Sequence, residues 1–273
     1  MTKRISTFGL LLLCACLTLC ISCGTSSIAG GAGTGNPGKT TFGIIAQDTL
    51  QASSLSKDLD ITDIIIPDSN NAIFKVTSSF IIVKRIHFVF DPADKPKIDA
   101  MTLIPPLRKD NESVVLEGPY TFNTITGISD SLFGFVLLPD ANYTGVRIVI
   151  ENKSEKNSIF LSGTFRHQNN DYRFRFDLSL NVSVNYDYSS QVYISGIDST
   201  DIKVVLDASK WLANININNC INSQPSPFDS SGTFVLNGKI TEGVCAEIPR
   251  RINDNIIQSG RLKVKQVKIK KTP

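Results

Sequence analysis

The longest regular pattern in the chain is an alternation of apolar and polar side chains over residues 172–188. The even positions hold Tyr172, Phe174, Phe176, Leu178, Leu180, Val182, Val184, Tyr186 and Tyr188. The odd positions are all charged or polar, from Arg173 to Asp187. A period of two held this long predicts a β-strand, or two strands joined at a bend, with one face in a core and one face in water. A single wet face favours antiparallel pairing over a buried parallel sheet.

Shorter segments extend the β prediction to most of the chain. Ile159, Leu161 and Phe165 predict a partner strand, and residues 167–171 supply the turn of a β-hairpin. A short helix is expected over residues 248–257. Many short strands separated by Gly, Pro, Asn and Asp predict a mostly β chain, folded as an antiparallel β-sandwich, immunoglobulin-like or related, with a few short helices.

Residues 80–90 predict another strand with two different faces. Arg85 and His87 belong to one face. The opposite face is expected to hold Phe80, Ile82, Ile86, Phe88 and Phe90.

The first two dozen residues are typical of an export signal. Lys3 and Arg4 precede an apolar run at residues 8–21, which suits a signal-peptide core but is shorter than the roughly twenty residues that span a bilayer. The run ends in Ile-Ser-Cys-Gly at residues 21–24, which resembles a bacterial lipobox. The resemblance implies acylation of Cys23, which becomes the first residue of the mature chain. An ordinary cleaved signal peptide and an uncleaved short anchor are the alternatives.

Acylation of Cys23 would make the lipid bilayer the first partner of this protein. The expected location is then the cell envelope, anchored to the outer membrane and facing the periplasm or the surface. The sequence divides into a leader (1–22), a Gly/Ser/Thr-rich flexible tether (23–41), a lead-in of ambiguous structure that could include a short helix (42–71), a β-sandwich domain (72–215) and a β-rich extension with a basic tail (216–273).

The tether contains a match to the phosphate-loop pattern G-x-x-x-x-G-K-T, formed by Gly33, Gly38, Lys39 and Thr40. Such a loop binds phosphates when it lies between a buried strand and the N-terminus of a helix. No strand-like apolar run precedes Gly33. We therefore expect no nucleotide partner.

The cysteines point to one disulfide. Of the six, three lie in the leader and a fourth is Cys23, so Cys220 and Cys245 remain. In an exported protein these two are expected to form a disulfide, and two buried free thiols are the alternative. Two cysteines without a nearby His supply too few ligands for zinc. We expect no metal and no cofactor.

The charge distribution excludes one class of partner and suggests another. The net charge is +3, and loss of Lys3 and Arg4 with the leader lowers it further, so no nucleic-acid partner is expected. The segment from Arg261 to the end contains no acidic residue. It predicts contact with an anionic partner, such as lipid phosphate or an acidic polysaccharide, or a protected edge strand whose lysines alternate with aliphatic residues. The contact residues would be Arg261, Lys263, Lys265 and Lys268.

Trp211, the only tryptophan, is a candidate ligand contact. An exposed indole would stack on a sugar ring, whereas a buried one would fill a core.

A recognisable catalytic motif is missing from the sequence. The two histidines, His87 and His167, have no helical metal-ligand partner and no nucleophile elbow beside them. We expect a protein that is not an enzyme, with a binding or structural role toward glycans or another envelope protein. The alternative is an envelope glycan hydrolase that uses a carboxylate pair. The candidate carboxylates are Glu117, Asp140, Glu151 and Asp177.

Four short motifs, in this order, resemble a bacterial lipoprotein domain of unknown function. They are Ile-Val-Lys-Arg-Ile-His at 82–87, Leu-Leu-Pro at 137–139, Tyr-Thr-Gly-Val-Arg-Ile-Val-Ile at 143–150 and Val-Val-Leu-Asp at 204–207. Ala141 stands where that family has a glycine. The resemblance covers roughly residues 72–215. It implies a β-sandwich presented from a lipid anchor and brings no established activity.

Overall fold

The computed structural model describes residues 37–47, 63–69, 72–103, 105–130, 134–151, 157–238 and 240–268. The predicted leader, Cys23 and most of the tether lie outside these residues. The described chain is mostly β, with two sheets and few short helices. Among its helices, none has the length and apolar character needed to cross a membrane.

The strands and helices of the described residues are numbered in chain order. The strands are β1 (Gly38–Gln47), β2 (Ile64–Pro67), β3 (Ile73–Phe90), β4 (Leu107–Lys109), β5 (Ser113–Asn123), β6 (Ile128–Ser129), β7 (Val136–Leu138), β8 (Ala141–Ile150), β9 (Ile159–His167), β10 (Asn170–Leu178), β11 (Val182–Ile194), β12 (Asp198–Asp207), β13 (Phe234–Asn237) and β14 (Gly260–Lys268). The helices are α1 (Lys95–Asp99), α2 (Ile217–Ile221) and α3 (Ile248–Gln258). Helix α3 confirms the helix predicted at 248–257.

The smaller sheet has four strands in the order β14-β12-β1-β7. The larger sheet has ten strands, of which six follow the order β11-β8-β3-β9-β10-β13, while β2 and β5 pair with β3, and β4 and β6 pair with β5. Most of the strand pairs are antiparallel, as expected, and two pairs are parallel, β1 with β12 and β10 with β13. Each parallel pair joins strands that are far apart in sequence, because parallel neighbours need a long connection.

The long alternation forms two strands, β10 and β11, separated by residues 179–181. The side chains at its even positions are buried or half-buried on both strands, as predicted. Strand β9 pairs antiparallel with β10 and confirms the predicted hairpin. Gln168 and Asn169 form its turn with φ of 48° and 65°. Positive φ at both residues is typical of a type I′ turn, whose twist matches that of the paired strands.

Strand β1 begins inside the predicted tether. Gly38, Lys39 and Thr40 belong to this strand, so they do not stand at the N-terminus of a helix as a phosphate loop requires. Residues 42–47 continue the strand, so the short helix considered for the lead-in is not formed there. Parallel pairing with β12 explains why this segment forms a strand. The pairing satisfies the hydrogen bonds of its backbone, although its Gly and Thr residues carry little apolar pattern.

Strand β3 pairs with four strands: β2 and β5 along one edge, and β9 and β8 along the other. The predicted faces of residues 80–90 are wrong in the first half, where Ile81 and Val83 are buried and Phe80 and Ile82 are only half-buried. From Ile86 onward the even positions are buried, as predicted. The change coincides with a register shift between β3 and β5 at Val83 and Arg85. A β-bulge of this kind reverses which residues face the core.

The core contains two groups of aromatic rings. Phe42 of the smaller sheet contacts Phe88 and Phe122 of the larger sheet at centroid distances of 6.0 and 5.7 Å. Around the first half of β3, Phe74 stacks on Phe165 at 4.8 Å and meets Phe174 edge-on at 5.2 Å. The first group joins the two sheets, and the second consolidates the larger sheet.

The segment after residue 215 contributes to both sheets. Strand β13 pairs with β10, and β14 pairs with β12, so the predicted extension shares its hydrogen bonds with the predicted domain. Cys220 and Cys245 form a disulfide between their buried side chains, as predicted. Trp211 is only 1% exposed, so it is a core residue and offers no surface for a ligand. The reason is local: a short turn after β12 folds Trp211 beneath α3 and the larger sheet, within the hydrophobic core.

Gly163 in β9 provides a test of the β3 pairing. A Cβ at this position would lie 1.9 Å from the carbonyl oxygen of Lys75, close to the register shift between Val76 and Ser78. We expect Gly163→Ala to lower the free energy of unfolding by roughly 3 kcal/mol, because backbone atoms must move to make room. Urea denaturation measures the change. Gly134→Ala, where no atom lies within 4 Å of the new Cβ, is the matched control, and an equal loss there would contradict the prediction.

The disulfide should contribute substantially to stability. Cys220 and Cys245 are separated by 25 residues, and closing a loop of this length is worth about 3.5 kcal/mol in the chain-entropy model. We expect Cys220→Ala/Cys245→Ala to lose about that much free energy of unfolding. Dithiothreitol should destabilise the wild-type protein similarly and leave the double variant unchanged. Equal sensitivity of both proteins to the reductant would refute the bond.

Candidate functional site

A cleft of about 460 Å³ opens on the outward face of the larger sheet where β3, β8 and β11 lie side by side. Its lining combines basic, polar and aliphatic side chains. They are Arg85, His87, Arg147, Val149, Ile150, Glu151, Asn181, Val182 and Ser183. Two guanidinium groups in one cleft make it the strongest candidate site in the described chain.

Strand pairing explains how the basic side chains meet. His87 lies directly opposite Arg147, and Arg85 lies opposite Val149 in the neighbouring strand β8. Their neighbours Ile86 and Ile148 are buried in the core. Because successive side chains of a strand point to opposite faces, burial of those isoleucines directs Arg85, His87 and Arg147 outward.

His87 is held by a small polar network. Its Nδ1 lies 2.9 Å from Ser113 Oγ and 3.3 Å from Asp110 Oδ2. Ser113 Oγ donates to Asp110 Oδ1 at 2.8 Å. Since that hydroxyl has one hydrogen and directs it to Asp110, the hydrogen-bond network assigns the ring hydrogen of His87 to Nδ1. Nε2 is then an acceptor, and it is buried without a hydrogen-bond partner among the described residues.

This environment favours the neutral imidazole. Burial is the main cause that lowers the pKa of His87, and the charges of Arg147, Arg85 and Arg108 lower it further, against the opposing effect of Asp110. Burial alone would raise the pKa of Asp110, but hydrogen bonds from Glu112 and Ser113 outweigh it and leave the pKa lowered. The site therefore pairs an ionised Asp110 with a neutral His87.

The serine, histidine and aspartate do not form a hydrolytic triad. In a triad the serine contacts one ring nitrogen and the carboxylate contacts the other, whereas here Ser113 and Asp110 share Nδ1. Ser113 is also fully buried, so a substrate cannot approach its hydroxyl. The arrangement fixes the ring of His87 in the wall of the cleft.

The two arginines differ in how firmly they are held. Arg147 Nε donates to Asn185 Oδ1 at 2.9 Å, and its Nη2 contacts Glu112 in a short ion pair. Arg85 Nη2 lies 3.3 Å from Glu151, while its Nε is buried with no partner in the described part of the chain. A guanidinium has five N–H donors, so each arginine keeps donors that these contacts do not use.

The carboxylates considered for a hydrolase are each engaged by a basic side chain. Asp140 pairs with Lys97 at 2.9 Å, and Asp177 pairs with Arg175 at 2.9 Å. Glu117 pairs with Arg108, and Glu151 pairs with Lys84, whose hydrogen bond is the main cause of a lowered pKa for Glu151. Each of these four carboxylates is thus engaged by a basic side chain.

The basic residues predicted for an anionic partner lie on β14, at the edge of the smaller sheet. Arg261, Lys263 and Lys265 occupy odd positions and share the outward face, whereas the even position of Lys268 places it on the other side. β14 is thus an edge strand studded with lysines, and the four residues do not all share one face.

Part of the cleft was visible in the sequence. The alternation placed Arg85 and His87 on a common face, and Arg147 belongs to the apolar segment 143–150. Asp110 and Ser113 were missed, because they lie at a turn and at a strand start with no alternating signal. Only the pairing of β3 with β8 brings His87 and Arg147 together.

No family model matches the chain, and comparisons with curated proteins and with solved structures found no similar protein. Within the described residues, no group of three or more His, Cys, Asp and Glu side chains is placed to hold a metal ion. Function is therefore inferred from the geometry of the cleft.

His87 should make stability depend on pH. Because its pKa is lowered by folding, the unfolded chain binds more protons as the pH falls through 6.5, and the free energy of unfolding should fall with it. We expect a larger loss between pH 7.5 and 5.5 in the wild type than in His87→Gln, measured by urea denaturation at each pH. His167→Gln, outside the cleft, is the control. Identical losses in all three proteins would show that His87 does not titrate in this way.

Proposed function

We propose that this protein is a lipid-anchored component of the bacterial cell envelope, held to the bilayer through acylated Cys23, that binds an anionic glycan in the cleft. The observation that carries the proposal is the pair Arg85 and Arg147 in one open cleft beside Asn181 and Ser183. The immunoglobulin-like sandwich, the outer-membrane location and the relation to the lipoprotein domain of unknown function are parts of the same proposal.

The cleft suits an acidic sugar in three ways. Guanidinium groups bind carboxylates and phosphates through paired N–H donors. Amide and hydroxyl side chains, here Asn181 and Ser183, are of the kind that hydrogen-bond sugar hydroxyls. Val149 and Val182 add apolar surface for the carbon faces of a ring.

A ligand anion must compete with the carboxylates already present. The side chains of Glu112 and Glu151 are 57% and 37% exposed, so their ion pairs with the arginines lie at the rim of the cleft. Exposed ion pairs contribute little, typically about 0–1 kcal/mol, because water and salt screen them. A carboxylate that binds deeper in the cleft would gain more from the same guanidinium groups.

Binding accounts for the site better than catalysis. Ser113 is buried and His87 is 6% exposed. Both side chains contact the carboxylate of Asp110. The candidate carboxylates of a hydrolase are tied to basic side chains. These features favour a rigid binding surface over groups that must exchange protons.

A glycan array tests the proposal with the purified full chain. We expect binding to glycans that carry uronate or phosphate groups and no binding to their neutral analogues. Arg147→Gln should weaken the binding at least tenfold, because one charge-assisted contact is worth roughly 1.5–3 kcal/mol.

The matched control is Arg166→Gln, which removes an exposed arginine from β9 and leaves the cleft intact. It should bind like the wild type. If no acidic glycan binds, or if the wild type and Arg147→Gln bind equally, glycan binding in the cleft is contradicted. A protein partner is then the alternative.

A further inference from the structure

The outward face of the smaller sheet carries a second concentration of positive charge, distinct from the cleft. We call this surface the basic face. Its cations are Lys39 of β1, Lys203 of β12, and Arg261, Lys263 and Lys265 of β14. All five side chains are exposed.

Strand register places these cations close together. Lys203 lies directly opposite Lys263, and Lys265 and Arg261 flank that pair at the neighbouring outward positions of β14. Two like charges opposite each other on antiparallel strands destabilise a sheet. The repulsion between Lys203 and Lys263 is only partly offset. Lys203 contacts Asp201 at 3.2 Å, whereas Lys263 donates to the neutral Gln47 at 3.0 Å.

The acids on the same face do not balance this charge. Asp201 accepts from Thr41 and pairs with Lys203, and Asp207 is 8% exposed, bonds to Ser209 and lies 3.6 Å from Lys210. At the described outward positions of β1, β12 and β14, these are the acidic residues. Asp201 also lies directly opposite Lys265, so the two carboxylates offset part of the five positive charges, and Lys39 and Arg261 have no ion-pair partner among the described residues.

We propose that the basic face docks the β domain on an anionic phospholipid bilayer. The inference rests on the proposed lipid anchor and is independent of the cleft. A group of five exposed lysine and arginine side chains complements a plane of lipid phosphates, and each such charge near an anionic membrane contributes about fivefold in affinity. An acidic polysaccharide is favoured less, because the aromatic ring beside these cations, Phe135, is covered by Lys39 Nζ at 4.2 Å from the ring centroid and so does not offer a free face for a sugar ring.

The position of the proposed anchor is compatible with this docking. Fourteen residues lie between Cys23 and Gly38, the first residue of β1, and a fully extended segment of this length spans about 50 Å. The basic face therefore lies within reach of the bilayer that holds Cys23. Such tethering raises the effective concentration of the membrane, so weak individual contacts suffice.

The test uses the full-length lipidated protein in two kinds of vesicle, pure phosphatidylcholine and phosphatidylcholine with 30% phosphatidylglycerol. Lysine acetylation by a membrane-impermeant reagent is followed by mass spectrometry. We expect Lys203, Lys263 and Lys265 to react about tenfold more slowly in the anionic vesicles and to regain their rate in about 0.5 M salt, which screens the attraction. Lys75, on the larger sheet, is the internal reference and should react equally in both.

Two variants complete the test. Lys203→Gln/Lys263→Gln should speed the acetylation of Lys265 in anionic vesicles to its rate in neutral ones, while Lys75→Gln/Lys95→Gln, which removes the same charge elsewhere, should leave the protection intact. Equal rates in both vesicles overturn the docking. Heparin retention that depends on Lys203 and Lys263, without protection by vesicles, also overturns it and assigns the face to a polysaccharide. Failure to join neutral vesicles at all would instead refute the anchor, which separates the two proposals.

Discussion

The structure depends on the pairing of β3. This strand forms hydrogen bonds to β2 and β5 on one edge and to β9 and β8 on the other, so four strands take their positions from its backbone. Its burial pattern changes phase twice, after Val76 and after Val83. Had the phase of Ile81 and Val83 continued, Arg85 and His87 would point into the core. The second shift turns them outward, and thereby creates the cleft.

The second shift requires a glycine in the opposing strand. Gly118 lies in β5 opposite the shift, and a Cβ there would approach the carbonyl oxygens of Val83 and Lys84 to 2.8 Å. The strand can therefore approach closely only where the side chain is absent. The close approach of β5 at Gly118 permits the change of phase in β3. The same approach therefore decides which side chains of β3 line the cleft.

Local patterns predicted the parts of the fold that depend on local physics. The alternation over 172–188, the turn at Gln168 and Asn169, and helix α3 follow from side-chain periodicity and turn chemistry, and all are present. The parallel pairing of β1 with β12 joins residues about 160 positions apart and leaves no periodic signal in the short, Gly- and Thr-containing β1. The phase of β3 was also hidden, because both faces of the segment are rich in Ile, Val and Phe. In the candidate site, alternation showed Arg85 and His87, but Arg147 required knowledge of a long-range pair.

The two proposed binding surfaces belong to different sheets that share one hydrophobic core. The inner faces of the sheets meet through Phe42 and Phe88, while the cleft and the basic face occupy the outward faces of the larger and the smaller sheet respectively. The cleft is lined by side chains of β3, β8 and β11 and of the residues next to β8 and β11, whereas the basic face consists of side chains of β1, β12 and β14, so docking of the basic face on a bilayer would use none of the residues that line the cleft. An anionic membrane would then hold the smaller sheet without competing for Arg85 and Arg147. The separation also explains how two cationic surfaces can coexist in one small protein, because each would meet a different anion through side chains of a different sheet.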